Sequence, residues 1–203
     1  MPIICEENMK FWRLIVAFSL CVAAHSSAQN AELKKLAQQD EAVRMLPPEE
    51  ASKVDWHDDD HVQLVLEFLA KGTVQTPEDK FYAALILDHT PLTSCDGRIV
   101  AKSPYNFLLA HYLAKQSFDA GYKSARILVA QTMDRYLSYT VGHQKYGTNR
   151  VYDQTTGKEE LVPIDRSVSD SERAKYGVQP LAELLKQWPE QKTEKKPADQ
   201  KSH

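Results

Sequence analysis

Residues 103–150 decide the fold, and their sequence is SPYNFLLAHYLAKQSFDAGYKSARILVAQTMDRYLSYTVGHQKYGTNR. Residues 104–120 and 123–139 each carry apolar side chains at helical spacing, with Gly121 between the two segments. This spacing predicts two helices, because residues three and four positions apart lie on one face of a helix. A connection this short makes the two helices antiparallel neighbours. The sequence therefore predicts a central helical hairpin.

The rest of the chain adds further helix signals and one strand signal. Asn30 can cap a first helix, residues 54–71 are apolar enough for another, and Thr76 followed by proline is a strong helix start. Residues 150–163 are typical of a small β-hairpin. The predicted fold class is mostly α, with about five or six helices packed around residues 104–139.

Composition and charge exclude some classes of protein. A chain of 203 residues that is 42% hydrophobic is long enough for one domain with a real core. The net charge of −3 gives no basic face for a polyanion, so we expect no nucleic-acid partner. Seven glycines are few for a β-sandwich or barrel, which also favours a helical fold.

The N-terminal residues are typical of an export signal. Residues 10–13 are basic, an apolar run follows, and small residues favour cleavage after Ala28, with Ala24 as the alternative. Met9 fits this pattern better as a start than Met1. The apolar run is shorter than the roughly 20 residues of a membrane span, so we expect no stable span after cleavage. The predicted organisation is a signal peptide (1–28), a single helical domain (29–188) and a disordered charged tail (189–203) in a periplasmic or secreted protein.

Signal cleavage would leave Cys95 as the single cysteine of the mature chain. One cysteine cannot crosslink a fold, so stability must come from the core. Cys95 lies in a turn-like segment that we expect to be exposed. An unpaired thiol and an intermolecular disulfide both remain open.

The sequence DWHDDDH at residues 55–61 is the most suggestive of metal chemistry. His57 and His61 are four residues apart and would share one face of a helix, as a metal-binding pair does. Acidic residues at the start of a helix are also favoured by the helix dipole, and no third ligand follows from this spacing. Because the motif is incomplete, we expect no cofactor. The candidate metal ligands, if the motif is functional, are His57, Asp58, His61 and His89.

The loop at residues 142–150 is the preferred ligand-binding site. Gly142 and Gly147 permit positive φ angles or close backbone approach, and the loop concentrates hydrogen-bond donors around one aromatic ring. A loop held by a rigid helical hairpin can bind a small polar ligand or a protein partner. The alternative is that the ring packs inward and the polar groups bond the loop itself. The candidate ligand-binding residues are His143, Gln144, Lys145, Tyr146, Thr148 and Arg150.

Three further expectations concern structural roles. His111 lies on an apolar helix and is expected to donate to a neighbouring carbonyl or carboxylate. His89 is expected to cap the end of its helix, with an acid–base couple to Asp88 as the alternative. An ion-pair network is expected to pin the C-terminal segment to the hairpin, formed by Asp134, Arg135, Asp165, Arg166 and Arg173.

Two motifs resemble those of an uncharacterised bacterial family whose members are often exported: DRYL at residues 134–137 and QKYGT at residues 144–148. The stretch AALILDH at residues 83–89 is similar to another pattern of that family, although Asp88 stands where the family usually has glutamine. The resemblance continues in PID at 163–165, ER at 172–173 and PLAE at 180–183, and it spans roughly residues 54–188. It implies a helical exported domain of unknown function and transfers no catalytic role to any residue.

These observations favour a non-enzymatic exported protein that binds an unknown protein or a small polar ligand through residues 142–150. The sequence contains no nucleophile elbow, no phosphate loop and no complete metal motif, so we assign no catalytic residue. A metal-assisted hydrolase acting on cell-envelope material is the second hypothesis. A purely structural helical module is the third.

Overall fold

The computed structural model describes residues 29–95, 98–153 and 157–188. The predicted signal peptide (1–28) and charged tail (189–203) lie outside the described residues. Within the described ranges, no helix has both the length and the apolar character needed to cross a membrane.

The described chain is mostly helical and carries two small antiparallel hairpins, which confirms the predicted fold class. The helices are α1 (Ala31–Arg44), α2 (Pro48–Ala51), α3 (Asp58–Ala70), α4 (Pro77–Asp88), α5 (Pro104–Asp119), α6 (Arg126–Val141), α7 (Asp170–Lys175) and α8 (Leu181–Gln187). The strands are β1 (Leu92–Cys95) paired with β2 (Arg98–Ala101), and β3 (Arg150–Asp153) paired with β4 (Lys158–Leu161).

Helix α5 is at the centre of the fold and packs against both α4 and α6. The facing surfaces of these three helices bury small and branched apolar side chains, as helix pairs in close contact require. The predicted helical hairpin is confirmed, although a 3₁₀ turn at Lys123–Ala125 precedes the start of α6. The buried residues of this centre include Ala83, Ala84, Leu87, Ala110, Leu113, Ala114, Leu128, Val129 and Ala130.

The start of α4 is joined to the start of α1 through Asp79, which is fully buried. Thr76 accepts the N–H of Asp79 at 3.0 Å, and Asp79 Oδ2 accepts the N–H of Thr76 at 2.9 Å, which completes a capping box. The other oxygen, Oδ1, accepts the N–H of Asn30 at 2.8 Å. Asn30 caps α1 in turn by accepting the N–H of Leu33 at 3.0 Å. One carboxylate therefore satisfies two helix starts.

Two elements differ from the sequence predictions. Helix α3 begins at Asp58 rather than at residue 54, because the chain first forms the separate turn α2 and then passes through His57 in a left-handed conformation with φ of 53°. The hairpin of β1 and β2 was not predicted. All four residues of β1 are exposed, so the alternation of buried and exposed residues that marks a strand is missing.

We expect Asp79→Ala to lower the free energy of unfolding by about 3 kcal/mol, since it leaves the N–H groups of Asn30 and Thr76 without acceptors. Urea denaturation followed by circular dichroism measures the change. Thr76→Ser retains the hydroxyl acceptor and serves as the matched control, with an expected change below about 0.5 kcal/mol. A loss of less than about 1 kcal/mol for Asp79→Ala would contradict this role.

Candidate functional site

One buried carboxylate on α1 brings together residues from three helices. The Asp40 side chain has no exposed surface. His61 of α3 places Nδ1 3.0 Å from Oδ1 of Asp40, and His89 at the end of α4 places Nδ1 2.5 Å from Oδ2. Each histidine side chain is 15% exposed. We name Asp40, Glu41, His61 and His89 the histidine–carboxylate centre.

Helix periodicity places these groups at the centre. Asp40 follows Leu33, Leu36 and Ala37 on the single buried face of α1, at intervals of three and four residues. His61 precedes Val65 by four residues and so extends the buried stripe of α3 towards its N-terminus. His89 is the C-cap residue of α4, and its ring contacts Asp40 rather than capping the helix end.

Arg44 extends the centre towards the surface. Its Nη2 lies 2.6 Å from Oδ1 of Asp58 and 3.6 Å from Oδ1 of Asp40. The guanidinium lies over the ring of Trp56, 4.9 Å from the ring centroid, a distance typical of cation–π contacts. Asp58, one of the candidate metal ligands, is therefore connected to Asp40 through Arg44.

The pKa values of two carboxyl groups near His89 are shifted in opposite directions. Burial acts to raise the pKa of Asp40, but the hydrogen bonds from His89 and His61, together with electrostatic attraction to His89 and Arg44, outweigh it, so this pKa lies below its ordinary value. Burial raises the pKa of Asp88, although Arg135 lies 2.8 Å away and opposes the shift. An ionised Asp40 can only accept hydrogen bonds, so each histidine donates its Nδ1–H to it.

Asp40, Glu41 and His89 meet the distance requirement of a metal site. Each offers one ligand atom, and these atoms lie within 4.8 Å of one another. Nε2 of His89 and Oε1 of Glu41 are 3.8 Å apart, close to the roughly 3.4 Å between two ligands of a tetrahedral zinc ion. No other group of three such residues meets this requirement in residues 29–95, 98–153 and 157–188.

The structure brings together part of the metal set that the sequence suggested. His61 and His89 share Asp40, and Asp58 lies beside them through Arg44. The His57 side chain is 56% exposed; its Nδ1 lies 3.4 Å from Asp60, and its ring centroid lies 6.4 Å from that of His61. Sequence reasoning missed Asp40 and Glu41, because α1 has a thin apolar stripe that is typical of a surface helix. The signal in the sequence was that Asp40 lies on the same face of the helix as this apolar stripe.

A second buried carboxylate holds the loop at residues 142–150. Asp134 of α6 accepts the N–H groups of Lys145 at 2.8 Å, Tyr146 at 2.7 Å and Thr148 at 2.8 Å. It also accepts the hydroxyl of Thr148 at 2.7 Å. Burial raises the pKa of Asp134, and these four donors oppose the shift. The polar backbone of the loop is thus directed inward.

Several candidate ligand-binding side chains of this loop are engaged within the protein. Gln144 is fully buried and donates to the carbonyls of Asn149 and Val162. Tyr146 is 3% exposed, its hydroxyl lies 3.1 Å from Glu172, and burial raises its pKa to about 12. Lys145 also pairs with Glu172, at 2.8 Å.

The exposed side chains of the loop are those of His143 and Arg150. The Arg150 guanidinium lies 4.5 Å from the ring centroid of Trp188. Thr148 is partly exposed, but its hydroxyl is bonded to Asp134. The exposed face of the loop therefore presents one imidazole and one guanidinium.

The predicted ion-pair network is wrong for three of its members. Asp134 binds the loop, as described above, and Arg135 pairs with Asp88. Arg173 is fully buried and donates to the carbonyls of Tyr146, Lys145 and Asp165.

The prediction for His111 is confirmed, because its Nδ1 lies 2.9 Å from the carbonyl of Val129. Burial lowers the pKa of His111.

Comparison of the chain with protein-family models, with curated proteins and with solved structures finds no match. The candidate functional sites are the two polar centres described above. One joins helices through a carboxylate and imidazoles, and the other holds a loop through a carboxylate and main-chain N–H groups.

We expect Asp134→Ala to lower the free energy of unfolding by about 3–4 kcal/mol, because four donors lose one shared acceptor inside the protein. Asp134→Asn keeps the shape and one acceptor oxygen, so we expect an intermediate loss. Chemical denaturation measures both changes. Asp119→Ala, at a carboxylate on the same hairpin that pairs with exposed Lys115, is the control. Equal small losses at positions 134 and 119 would contradict the assigned role.

Proposed function

We propose that this exported protein binds a divalent transition-metal ion, with zinc the best match, through Asp40, Glu41 and His89. One observation supports the proposal above others: a fully buried carboxylate has two imidazoles from other helices as its hydrogen-bond donors. The buried carboxylates Asp79 and Asp134 are bonded by main-chain N–H groups and a hydroxyl. Main-chain N–H groups cannot bind a metal, whereas imidazole is a common metal ligand.

The charges around the centre favour a cation. Carboxyl groups outnumber guanidinium groups there, and the surplus of negative charge is partly buried. A divalent cation between two carboxylates neutralises that charge, which makes burial of the carboxylates less costly. The carboxyl groups are those of Asp40, Glu41 and Asp58, and the guanidinium group is that of Arg44.

The ligand chemistry favours zinc over calcium or magnesium. Calcium and magnesium take oxygen ligands, usually in sets of six or more, whereas imidazole with carboxylates suits zinc and similar transition metals. His61 bonds Oδ1 of Asp40, and Oδ2 accepts the Nδ1–H of His89, so Nε2 of His89, which faces Glu41, is the nitrogen free to bind the ion. A hydrogen bond of this kind orients a ligand and strengthens metal binding. His61 therefore has a positioning role in the proposed site.

The metal-assisted hydrolase hypothesis stays a prediction that depends on this proposal. A metal with an open coordination position would supply a Lewis acid or an activated water. We assign no catalytic role to any residue of the centre. The structural-module hypothesis is favoured if the centre binds no metal.

Ligand or partner binding through residues 142–150 also stays a prediction, and it now depends on His143 and Arg150. These side chains are exposed on a loop whose backbone is held by Asp134. A loop that is fixed in one conformation loses little entropy when it binds. This site is separate from the histidine–carboxylate centre in its residues and in its tests.

We expect the mature protein, purified without chelator or affinity histidines, to bind one zinc ion with a Kd of about 1 μM or below. Isothermal titration calorimetry and elemental analysis measure this. His89→Gln removes a ligand and is expected to weaken binding by about 100-fold or more, and His61→Gln by about 10-fold to 100-fold.

His57→Gln is the matched control, because His57 lies outside the ligand group. We expect it to change the zinc affinity by less than about threefold. Absence of stoichiometric zinc, or equal losses for His57→Gln and His89→Gln, would rule out the proposed ligand set.

For the loop, we expect the double variant His143→Ala, Arg150→Ala to keep the stability and zinc affinity of the parent protein, because both side chains are exposed. Its capture of partners from a cell-envelope extract is expected to fall if the loop binds them. Tyr146→Ala is unsuitable, since truncating this buried ring costs about 3–5 kcal/mol. Unchanged capture by a folded double variant would count against loop binding.

A further inference from the structure

We infer that metal binding controls the docking of the C-terminal half of α1 onto the rest of the domain. The inference rests on the proposed metal site and deepens it by assigning a conformational response to that site. The two halves of α1 differ in the kind of contact that each half makes.

The N-terminal half of α1 is attached by contacts that need no metal. Leu33, Leu36 and Ala37 are buried in the core. The N–H of Asn30 bonds the buried carboxylate of Asp79 at 2.8 Å, and Lys34 pairs with Glu78 at 3.3 Å. Apolar burial and a satisfied helix cap hold this half whatever the metal content of the solution.

The C-terminal half of α1 is attached mainly through ionisable side chains. Asp40 is its one buried residue in the described structure, and no apolar side chain of residues 40–44 is buried. Asp40 contacts His61 and His89, while Arg44 contacts Asp58. Burying the Asp40 carboxylate costs desolvation energy that offsets its hydrogen bonds, and the Arg44–Asp58 pair is partly exposed, so these contacts add little net stability. This half therefore has weaker attachment than the half that precedes it.

The proposed ligands lie on both sides of this weak contact. Asp40 and Glu41 belong to α1, and His89 belongs to the end of α4. The three ligand atoms are close together only while α1 is docked, so the ion binds the docked form and not the detached form. Thermodynamic linkage then requires that the ion lowers the fraction of molecules in which α1 is detached. The fraction falls by the factor 1 + [M]/Kd, where [M] is the concentration of free metal ion. At free zinc of 100 times Kd, this factor is about 100.

Hydrogen–deuterium exchange of the full mature chain, with zinc or with a chelator, tests the inference. We expect amides of residues 40–46 to exchange up to about 100-fold more slowly with zinc at 100 times Kd. Amides of α6 are the internal control, because α6 carries no proposed ligand, and their exchange is expected to change less than about twofold. Equal exchange of residues 40–46 in both conditions overturns the inference.

Two variants separate this inference from the proposed function. His89→Gln is expected to abolish the zinc effect on residues 40–46. Lys34→Ala loosens the other end of α1 and is expected to leave the zinc effect on residues 40–46 unchanged. Zinc binding in calorimetry without an exchange effect overturns the inference and leaves the metal site intact. Absence of zinc binding to the folded protein overturns both.

Discussion

A buried carboxylate is costly unless hydrogen-bond donors surround it, because water no longer solvates its charge. The connections between the helices of this domain depend on that constraint at three positions. Asp79 joins the starts of α1 and α4, Asp40 joins the other end of α1 to α3 and α4, and Asp134 holds the loop after α6. Asp79 and Asp134 each fix a junction that apolar packing alone would leave free to move, whereas Asp40 forms the weaker junction.

The apolar core and these junctions have different tasks. The core of α4, α5 and α6 is built from small and branched side chains and sets which helices pack together. The carboxylates then set the positions of helix ends and loops, because each oxygen accepts hydrogen bonds from donors at defined positions. The loop at residues 142–150 shows the effect: Asp134 accepts three of its N–H groups, and buried Arg173 donates to two of its carbonyls.

Local sequence patterns predicted most of the helices but did not predict the site. The hairpin of α5 and α6 follows from apolar spacing, and the start of α4 follows from Thr76 and its following residues, because both signals lie within a few residues. The partners of Asp40 lie 21 and 49 residues away, so no local pattern pairs them. The loop residues were assigned to ligand binding because the same polar residue types serve for binding a ligand and for hydrogen bonding within the protein. Burial separates the two, and burial depends on the packed fold.

The kind of hydrogen-bond donor around each buried carboxylate distinguishes a structural role from a functional one. The N–H groups that bond Asp79 and Asp134 have no other chemistry, so these junctions are permanent parts of the fold. The imidazoles that bond Asp40 have a second nitrogen and can exchange a proton for a metal ion. A fold that needed Asp40 only as a junction would be served by main-chain or hydroxyl donors, as it is at the other two positions. The use of two histidines at this one junction is the reason to place the function there.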